Sequence, residues 1–124
     1  MSHKPQIMVV DDDQAICEFL RMFLDGLGYR GIAVNNAEQA VQLYNADRPD
    51  AVIIDVIMPG SMDGLVLASE IRQKYNNLPV LFMTGALLES DEYAAEMAGK
   101  KLLLRKPFSA KALIEFIDSH LGES

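Results

Sequence analysis

Aspartates stand directly after two of the most apolar stretches of this 124-residue chain. The tripeptide Asp11-Asp12-Asp13 follows the run 7–10, and Asp55 follows the run 51–54. Carboxylates gathered at one place repel one another, and a hard divalent cation relieves that repulsion. Ligands that are all oxygen suit Mg²⁺, Mn²⁺ or Ca²⁺, and few protein carboxylates with several waters suit Mg²⁺ best. These aspartates therefore predict a magnesium site.

A hydroxyl and an ammonium follow two further apolar runs. Thr84 comes after the run 79–83, and Lys106 comes after 102–104 with Arg105 between. A lysine can hold a carboxylate or bind an anion as a point charge. A carboxylate beside a divalent cation and a lysine is also a nucleophile toward a phosphoryl group, because both cations neutralise charge on the transferring oxygens. The residue types together predict a site that accepts a phosphoryl group.

The apolar runs before these polar positions are continuous rather than alternating, which is typical of strands that helices cover on both faces. A fifth, weaker run at 31–34 is expected nearer the edge of a sheet. The segments between the runs show helical spacing. The first helix is predicted to stop at Gly28, and its apolar stripe consists of Ile16, Phe19, Leu20, Phe23, Leu24 and Leu27.

Residues that cap helices mark where the helices begin. Asp13 is expected to cap the first helix rather than join the site. The other helices are predicted to begin at Asn36, to run from about Asp63 to Lys74, to run from Ser90 to Gly99, and to begin at Ser109. Strand and helix thus alternate five times, which predicts one α/β domain with a parallel sheet. Ligands of such sheets bind beyond the carboxyl ends of the strands, so the polar positions above are expected to meet there.

Composition narrows the function classes. Eleven basic residues against 18 acidic ones leave a net charge of −7, which argues against nucleic acid or an anionic membrane as a direct ligand. The balance is −9 over residues 1–99 but +2 over residues 100–124. No stretch resembles a signal peptide or reaches the roughly 18 apolar residues of a membrane span, so a cytoplasmic location is expected. The single cysteine, Cys17, is expected to be a small core residue.

Five short motifs, in this order along the chain, resemble those of bacterial response-regulator receiver domains. They are Val9-Val10-Asp11-Asp12-Asp13, Ile53-Ile54-Asp55-Val56-Ile57-Met58-Pro59, Met62-Asp63-Gly64, Met83-Thr84-Gly85-Ala86 and Arg105-Lys106-Pro107-Phe108. The resemblance covers about residues 5–121 of a single domain spanning 1–124. It implies a flavodoxin-like, doubly wound fold of five parallel strands in the order 2-1-3-4-5, with five helices.

By this resemblance, Asp55 accepts a phosphoryl group from a phosphohistidine on a histidine kinase or a histidine phosphotransfer protein. The implied cofactor is Mg²⁺, which Asp12 ligates directly and Asp11 largely through water. Asp55 and the backbone carbonyl of Ile57 are the remaining implied protein ligands.

Thr84 and Lys106 contact the phosphoryl oxygens by the same resemblance. Family members usually carry an aromatic residue on the fifth strand that moves inward together with the threonine. Leu103 occupies that position here, so the switch through Thr84 and Leu103 is expected to be weaker or carried by other residues. The loop 60–64 is one residue longer than the commonest family form, an insertion that costs little.

A receiver modifies itself, so the chain is not expected to be an enzyme with a separate substrate. By the resemblance, Ile57 and Ala86 occupy the positions that tune attack of water on the acyl phosphate, and neither side chain can orient a water. Slow loss of the phosphoryl group is therefore expected. The resemblance also places contacts with an effector or a second copy on the fourth helix, fifth strand and fifth helix.

Three other functions compete with this prediction. A degenerate receiver would act through protein contacts without phosphate; the complete set of acidic and phosphoryl-contacting residues argues against it, while Leu103 leaves it room. A flavin or nucleotide carrier needs a Gly- or Ser/Thr-rich loop where this chain has acidic residues at 11–13. A phosphohydrolase with an aspartate nucleophile typically has a second aspartate at the position of Ile57.

Overall fold

A parallel sheet of five strands lies at the centre of the molecule. A computed structural model describes residues 4–56, 64–84, 103–105 and 109–121, with the backbone alone at Leu65, Thr84, 103–105, Phe116 and 119–121. The strands are β1 (Gln6–Val10), β2 (Arg30–Val34), β3 (Ala51–Asp55), β4 (Val80–Thr84) and β5 (Leu103–Arg105). Their order is β2-β1-β3-β4-β5, and every neighbouring pair is parallel. The predicted order is confirmed.

Four helices lie within the described ranges: α1 (Gln14–Gly26), α2 (Ala37–Ala46), α3 (Gly64–Lys74) and α4 (Ala110–Leu121). The helix predicted from Ser90 to Gly99 lies outside these ranges. None of the helices described is long and apolar enough to span a membrane.

The predicted caps begin three of these helices. Asp13 Oδ1 accepts hydrogen bonds from the backbone N–H groups of Ala15, at 2.9 Å, and Ile16, at 3.3 Å. Asn36 Oδ1 accepts one from the N–H of Gln39 at 2.8 Å. In α4, the N–H of Ala112 donates to Ser109 Oγ at 3.1 Å. Each cap satisfies backbone donors that a helix leaves without partners in its first turn.

Gly28 ends α1, as predicted. Its φ of 98° is left-handed, a conformation that costs glycine little. The N–H of Gly28 donates to the carbonyl of Asp25 at 3.1 Å, and that of Tyr29 donates to Leu24 at 3.0 Å. This pair of bonds is a Schellman motif, and it turns the chain directly into β2.

The core lies on both faces of the sheet. On one face, α1 and α4 contribute Leu20, Leu24, Leu113 and Ile117, which pack against Ile7, Val9, Ile53, Leu81 and Met83 of the strands. On the other face, α2 and α3 pack against the alternate strand residues through Ala37, Ala40, Tyr44, Leu67, Ala68 and Ile71. The central strands are covered on both faces, which explains their continuous apolar sequence.

The apolar stripe predicted for α1 is partly wrong. Leu20 and Leu24 are buried, but Phe19 is 51% exposed and Leu27 is 41% exposed, while Cys17 is 5% exposed. The helix carries a wider apolar arc than the sheet can cover, and its buried face is centred on Cys17, Leu20 and Leu24. Periodicity alone does not predict which residues at the edges of such an apolar arc remain exposed to solvent.

Strand β2 forms one edge of the sheet, as expected for the weakest apolar run. The N–H of Gly31 in this strand donates to Asp25 Oδ1 at 3.0 Å. A Cβ at Gly31 would lie 3.0 Å from the carbonyl oxygen of Arg21, so glycine permits the close approach of α1 to the edge.

Candidate functional site

Strand register brings the predicted site residues to one edge of the sheet. Val10 is paired with Ile54, which places Asp11 and Asp55 next to each other at the ends of β1 and β3. Asp55 is paired with Met83, so the backbone of Thr84 lies one residue further along β4. The carboxyl ends of three neighbouring strands therefore converge, as the sequence predicts.

Asp11, Asp12 and Asp55 form what we call the acid cluster. One carboxylate oxygen from each lies within 4.8 Å of the others. Asp11 is fully buried and Asp55 is 6% exposed, whereas Asp12 is exposed. The acid cluster thus contains two buried aspartates and one exposed aspartate.

Backbone groups fix the position of Asp11. Its Oδ1 accepts a hydrogen bond from the N–H of Asp13 at 2.9 Å, and its own N–H donates to the carbonyl of Val34 at 3.2 Å. The thiol of Cys17 donates to the carbonyl of Asp11, with Sγ 3.1 Å from the oxygen. Cys17 is buried, as expected, but its hydrogen bond to the site is not visible in the sequence.

Helix α3 begins against the backbone of Asp55. The N–H of Gly64 donates to the carbonyl of Val56 at 3.1 Å, and the N–H of Val56 donates to Met83 at 2.9 Å. A Cβ at Gly64 would lie 2.9 Å from both the Asp55 carbonyl carbon and Val56 Cα, closer than real Cβ atoms come. Glycine at this position therefore allows α3 to start where it does. The sequence shows Gly64 as part of a motif without giving this reason.

The acid cluster fits a magnesium ion. Its donors are all carboxylate oxygens, which Mg²⁺ prefers, and the exposed position of Asp12 leaves one side open for the waters that Mg²⁺ usually keeps. A bound divalent cation would offset the repulsion of three carboxylates placed this close.

The other predicted site residues are less fully described. The backbone of Thr84 is paired with that of Arg105, and Leu103 with Phe82, so both predicted switch positions lie on neighbouring strands. Ile57 and Lys106 fall outside the described residues, although Lys106 follows directly on β5. Asp13 caps α1 and is not part of the acid cluster.

Comparison with known proteins decides the family. The family model of the response regulator receiver domain matches residues 7–118. The chain belongs to this family. Receiver domains are modules of two-component systems, they bind Mg²⁺ at a cluster of aspartates, and they are generally not true enzymes.

A curated relative supports the assignment. The response regulator MprA of Mycolicibacterium vanbaalenii is 38% identical over 109 residues, which cover 88% of this chain and 47% of the relative. The chain spans about half the length of the curated relatives that it matches.

Solved receiver structures share the fold. The chemotaxis protein CheY4 of Vibrio cholerae superposes with a TM-score of 0.83 at 25% identity, covering 96% of this chain and 100% of that one. The signal receiver domain of an HD domain-containing protein from Pseudomonas fluorescens gives 0.83 at 27% identity, covering 96% and 95%. The flavodoxin-like fold is confirmed.

Proposed function

We propose that this receiver domain accepts a phosphoryl group on Asp55, in a Mg²⁺-dependent reaction, from a histidine kinase or a histidine phosphotransfer protein. The acid cluster is the observation that carries the proposal, because it places the Asp55 carboxylate within 4.8 Å of the Asp11 and Asp12 carboxylates. Membership of the receiver family supports the class of donor.

In the proposed reaction, an Asp55 oxygen attacks the phosphorus of the phosphohistidine. A P–O bond forms, the P–N bond breaks, and its electron pair returns to the imidazole of the donor. A bound Mg²⁺ supplies neutralising charge for the phosphoryl oxygens. Asp11 and Asp12 would hold the ion beside Asp55, and the hydrogen-bonded backbone of Asp11 keeps its carboxylate in place before the donor arrives.

We assign the remaining roles from the family pattern. Thr84 and Lys106 contact the phosphoryl oxygens, and the carbonyl of Ile57 is a further metal ligand. Phosphorylation then changes the partner-binding surface through Thr84 and Leu103, and because leucine stands where the family usually has an aromatic residue, we expect this switch to be weaker or carried by other residues. The placement of Thr84 at the end of β4, one residue beyond the partner of Asp55, supports its role.

Intact mass after incubation with acetyl phosphate and Mg²⁺ tests the proposal. We expect a mass increment of one phosphoryl group. It should not form when EDTA removes the Mg²⁺, nor in the variant Asp55→Asn. Asp13→Asn is the matched control, because asparagine caps helices as well as aspartate and Asp13 lies outside the acid cluster. An unmodified wild-type protein would instead favour the degenerate receiver, and an increment that survives in Asp55→Asn would exclude Asp55 as the acceptor.

The proposal includes slow autodephosphorylation. Ile57 and Ala86 are apolar, so neither can hold a water in line with the acyl phosphate. After acetyl phosphate has been removed from the phosphorylated protein, we expect the increment to persist for minutes or longer. A lifetime of seconds would contradict this part of the proposal.

A further inference from the structure

We propose that Cys17 is a positioning residue of the acid cluster: its thiol holds the backbone of Asp11 so that the Asp11 carboxylate faces Asp12 and Asp55. This inference rests on the cation-binding half of the proposed function. It assigns Cys17 neither a nucleophilic nor a redox role.

The thiol lies where three elements meet. Cys17 is on the first turns of α1, and its Sγ is 3.1 Å from the carbonyl oxygen of Asp11, which follows β1. The same sulfur is 3.5 Å from the carbonyl oxygen of Val34, the last residue of β2. The N–H of Asp11 also donates to that Val34 carbonyl, at 3.2 Å. One side chain thus connects α1 to the ends of two strands.

Burial strengthens the hydrogen bond from the Cys17 thiol to the Asp11 carbonyl. Cys17 is 5% exposed and Asp11 is 0% exposed, so water does not compete freely for the Asp11 carbonyl. The Asp11 carboxylate is oriented from the other side by the N–H of Asp13, at 2.9 Å. Releasing the carbonyl lets the peptide of Asp11 rotate, which moves its carboxylate relative to Asp12 and Asp55.

Outer groups that orient metal ligands typically change metal affinity by about 10-fold to 100-fold when removed. A thiol is a weak donor, so we expect a smaller effect, of about threefold to tenfold. A residue that only fills space would behave differently, because its effect would follow side-chain volume rather than the presence of a donor.

Three substitutions separate the donor from the volume. Cys17→Val fills the site with a slightly larger side chain that has no donor, Cys17→Ser keeps a donor in a smaller side chain, and Cys17→Ala keeps neither volume nor donor. Ile117→Val is the control, because Ile117 is a core residue, 1% exposed, on α4, which contributes no residue to the acid cluster. The dissociation constant of Mg²⁺ is measured for each by isothermal titration calorimetry at fixed ionic strength.

We expect Cys17→Val and Cys17→Ala to weaken Mg²⁺ binding about threefold to tenfold. Cys17→Ser and Ile117→Val should stay within about twofold of the wild type. Wild-type affinity in Cys17→Val, or an equal loss in Ile117→Val, would overturn the proposal.

A second measurement needs no metal. Hydrogen exchange of the Asp11 amide, read by NMR without Mg²⁺, should accelerate in Cys17→Val more than exchange of the Ile53 amide in the sheet centre. If the wild type bound no Mg²⁺ but Cys17→Val still showed the faster Asp11 exchange, the cation site would be refuted while the positioning contact would stand. Unchanged Asp11 exchange in Cys17→Val would refute the contact itself.

Discussion

Among the described glycines, Gly64 is the one at which an added Cβ would come closest to neighbouring backbone. Helix α3 starts so close to the end of β3 that a Cβ there would meet the backbone of Asp55 and Val56. Asp55, the proposed phosphoacceptor, is thus placed both by its own strand and by the absence of a side chain at Gly64 on the next helix.

Replacing Gly64 with alanine is expected to damage both stability and phosphorylation. Backbone must move to admit the methyl group, and overpacking of this kind typically costs about 1–3 kcal/mol. We expect a lower denaturant midpoint and slower modification by acetyl phosphate in Gly64→Ala. Gly26→Ala is the matched control, because nothing lies within 4 Å of a Cβ at Gly26 near the end of α1. A Gly64→Ala protein as stable and as reactive as the wild type would contradict the close approach.

The sequence predicts which carboxylates meet but not what fixes them. Asp11 and Asp55 follow apolar runs, and parallel strands end at one edge, so their proximity follows from the pattern alone. Cys17 contacts the backbone after β1 because α1 lies close to that strand end, and Gly64 is needed because α3 lies close to the end of β3. Such distances depend on how helices dock on the sheet, and no local sequence signal reports them.

Helix α1 has an apolar outer face in addition to its buried one. Phe19 is 51% exposed and Met22 is 63% exposed, and the Phe19 ring stacks on Phe23 with centroids 5.7 Å apart. The helix begins immediately after Asp11, Asp12 and Asp13, so this face lies on the element that leads away from the acid cluster. We therefore expect a macromolecular donor that reaches Asp55 to contact this face of α1, and a small-molecule donor not to contact it.

The double variant Phe19→Ser, Met22→Ser is therefore expected to separate the two kinds of donor. Transfer from a phosphorylated histidine kinase or phosphotransfer protein should slow about fivefold or more, since aromatic residues and methionine are enriched at protein interfaces, where a few side chains carry most of the binding energy. The rate with acetyl phosphate should not change. Val66→Ser is the control, because Val66 is 48% exposed on α3. Equal slowing with both donors would show that α1 affects the site and not docking.

The contact between α2 and α3 contains a buried tyrosine whose ionisation should destabilise the fold. Burial raises the pKa of Tyr44 above its ordinary value near 10, and the charge of Glu70 and the neighbouring Tyr75 raise it further. The folded state thus holds this proton more tightly than the unfolded state. The stability it contributes is complete below about pH 10 and is lost as the pH rises through the folded-state pKa.

We expect the free energy of unfolding to fall less steeply above pH 10 in Tyr44→Phe than in the wild type, because phenylalanine cannot ionise. Denaturant unfolding at several alkaline pH values measures that slope. Tyr29→Phe controls for loss of a hydroxyl elsewhere. Identical slopes for Tyr44→Phe and the wild type would show that Tyr44 does not govern the alkaline limit.

Elements were predicted best where one local signal decides them. The caps at Asp13, Asn36 and Ser109 and the stop at Gly28 are confirmed because each depends on a side chain and the backbone next to it. The covered face of α1 was predicted less well, since the choice between Cys17 and Phe19 depends on the sheet beneath.

At the scale of the whole molecule, charge couples the site to stability. The chain carries a net charge of −7, and three of its carboxylates stand in the acid cluster. A ligand that binds only the folded state at 100 times its dissociation constant stabilises that state by about 2.7 kcal/mol. Mg²⁺ should therefore stabilise the fold as well as support phosphotransfer.

We expect saturating Mg²⁺ to raise the Tm by roughly 10 °C at constant ionic strength. In Asp12→Asn, the Tm without metal should rise, because one of the mutually repelling charges is gone, and the increment from Mg²⁺ should shrink. Asp13→Asn should keep the full increment. Differential scanning calorimetry measures these shifts, and an increment that is the same in Asp12→Asn and the wild type would place the ion elsewhere.

The bond between Asp25 and Gly31 has a consequence for how molecules of this protein meet at high concentration. A sheet that ends in an apolar strand offers its outer backbone groups to the strand of another chain, which is how fibrous deposits grow. Here a carboxylate of α1 already occupies the outward N–H of Gly31 and puts a negative charge beside it. An incoming strand would have to displace that carboxylate and bury its charge. Strand β2 can therefore lie at the edge of the sheet without serving as a template for aggregation.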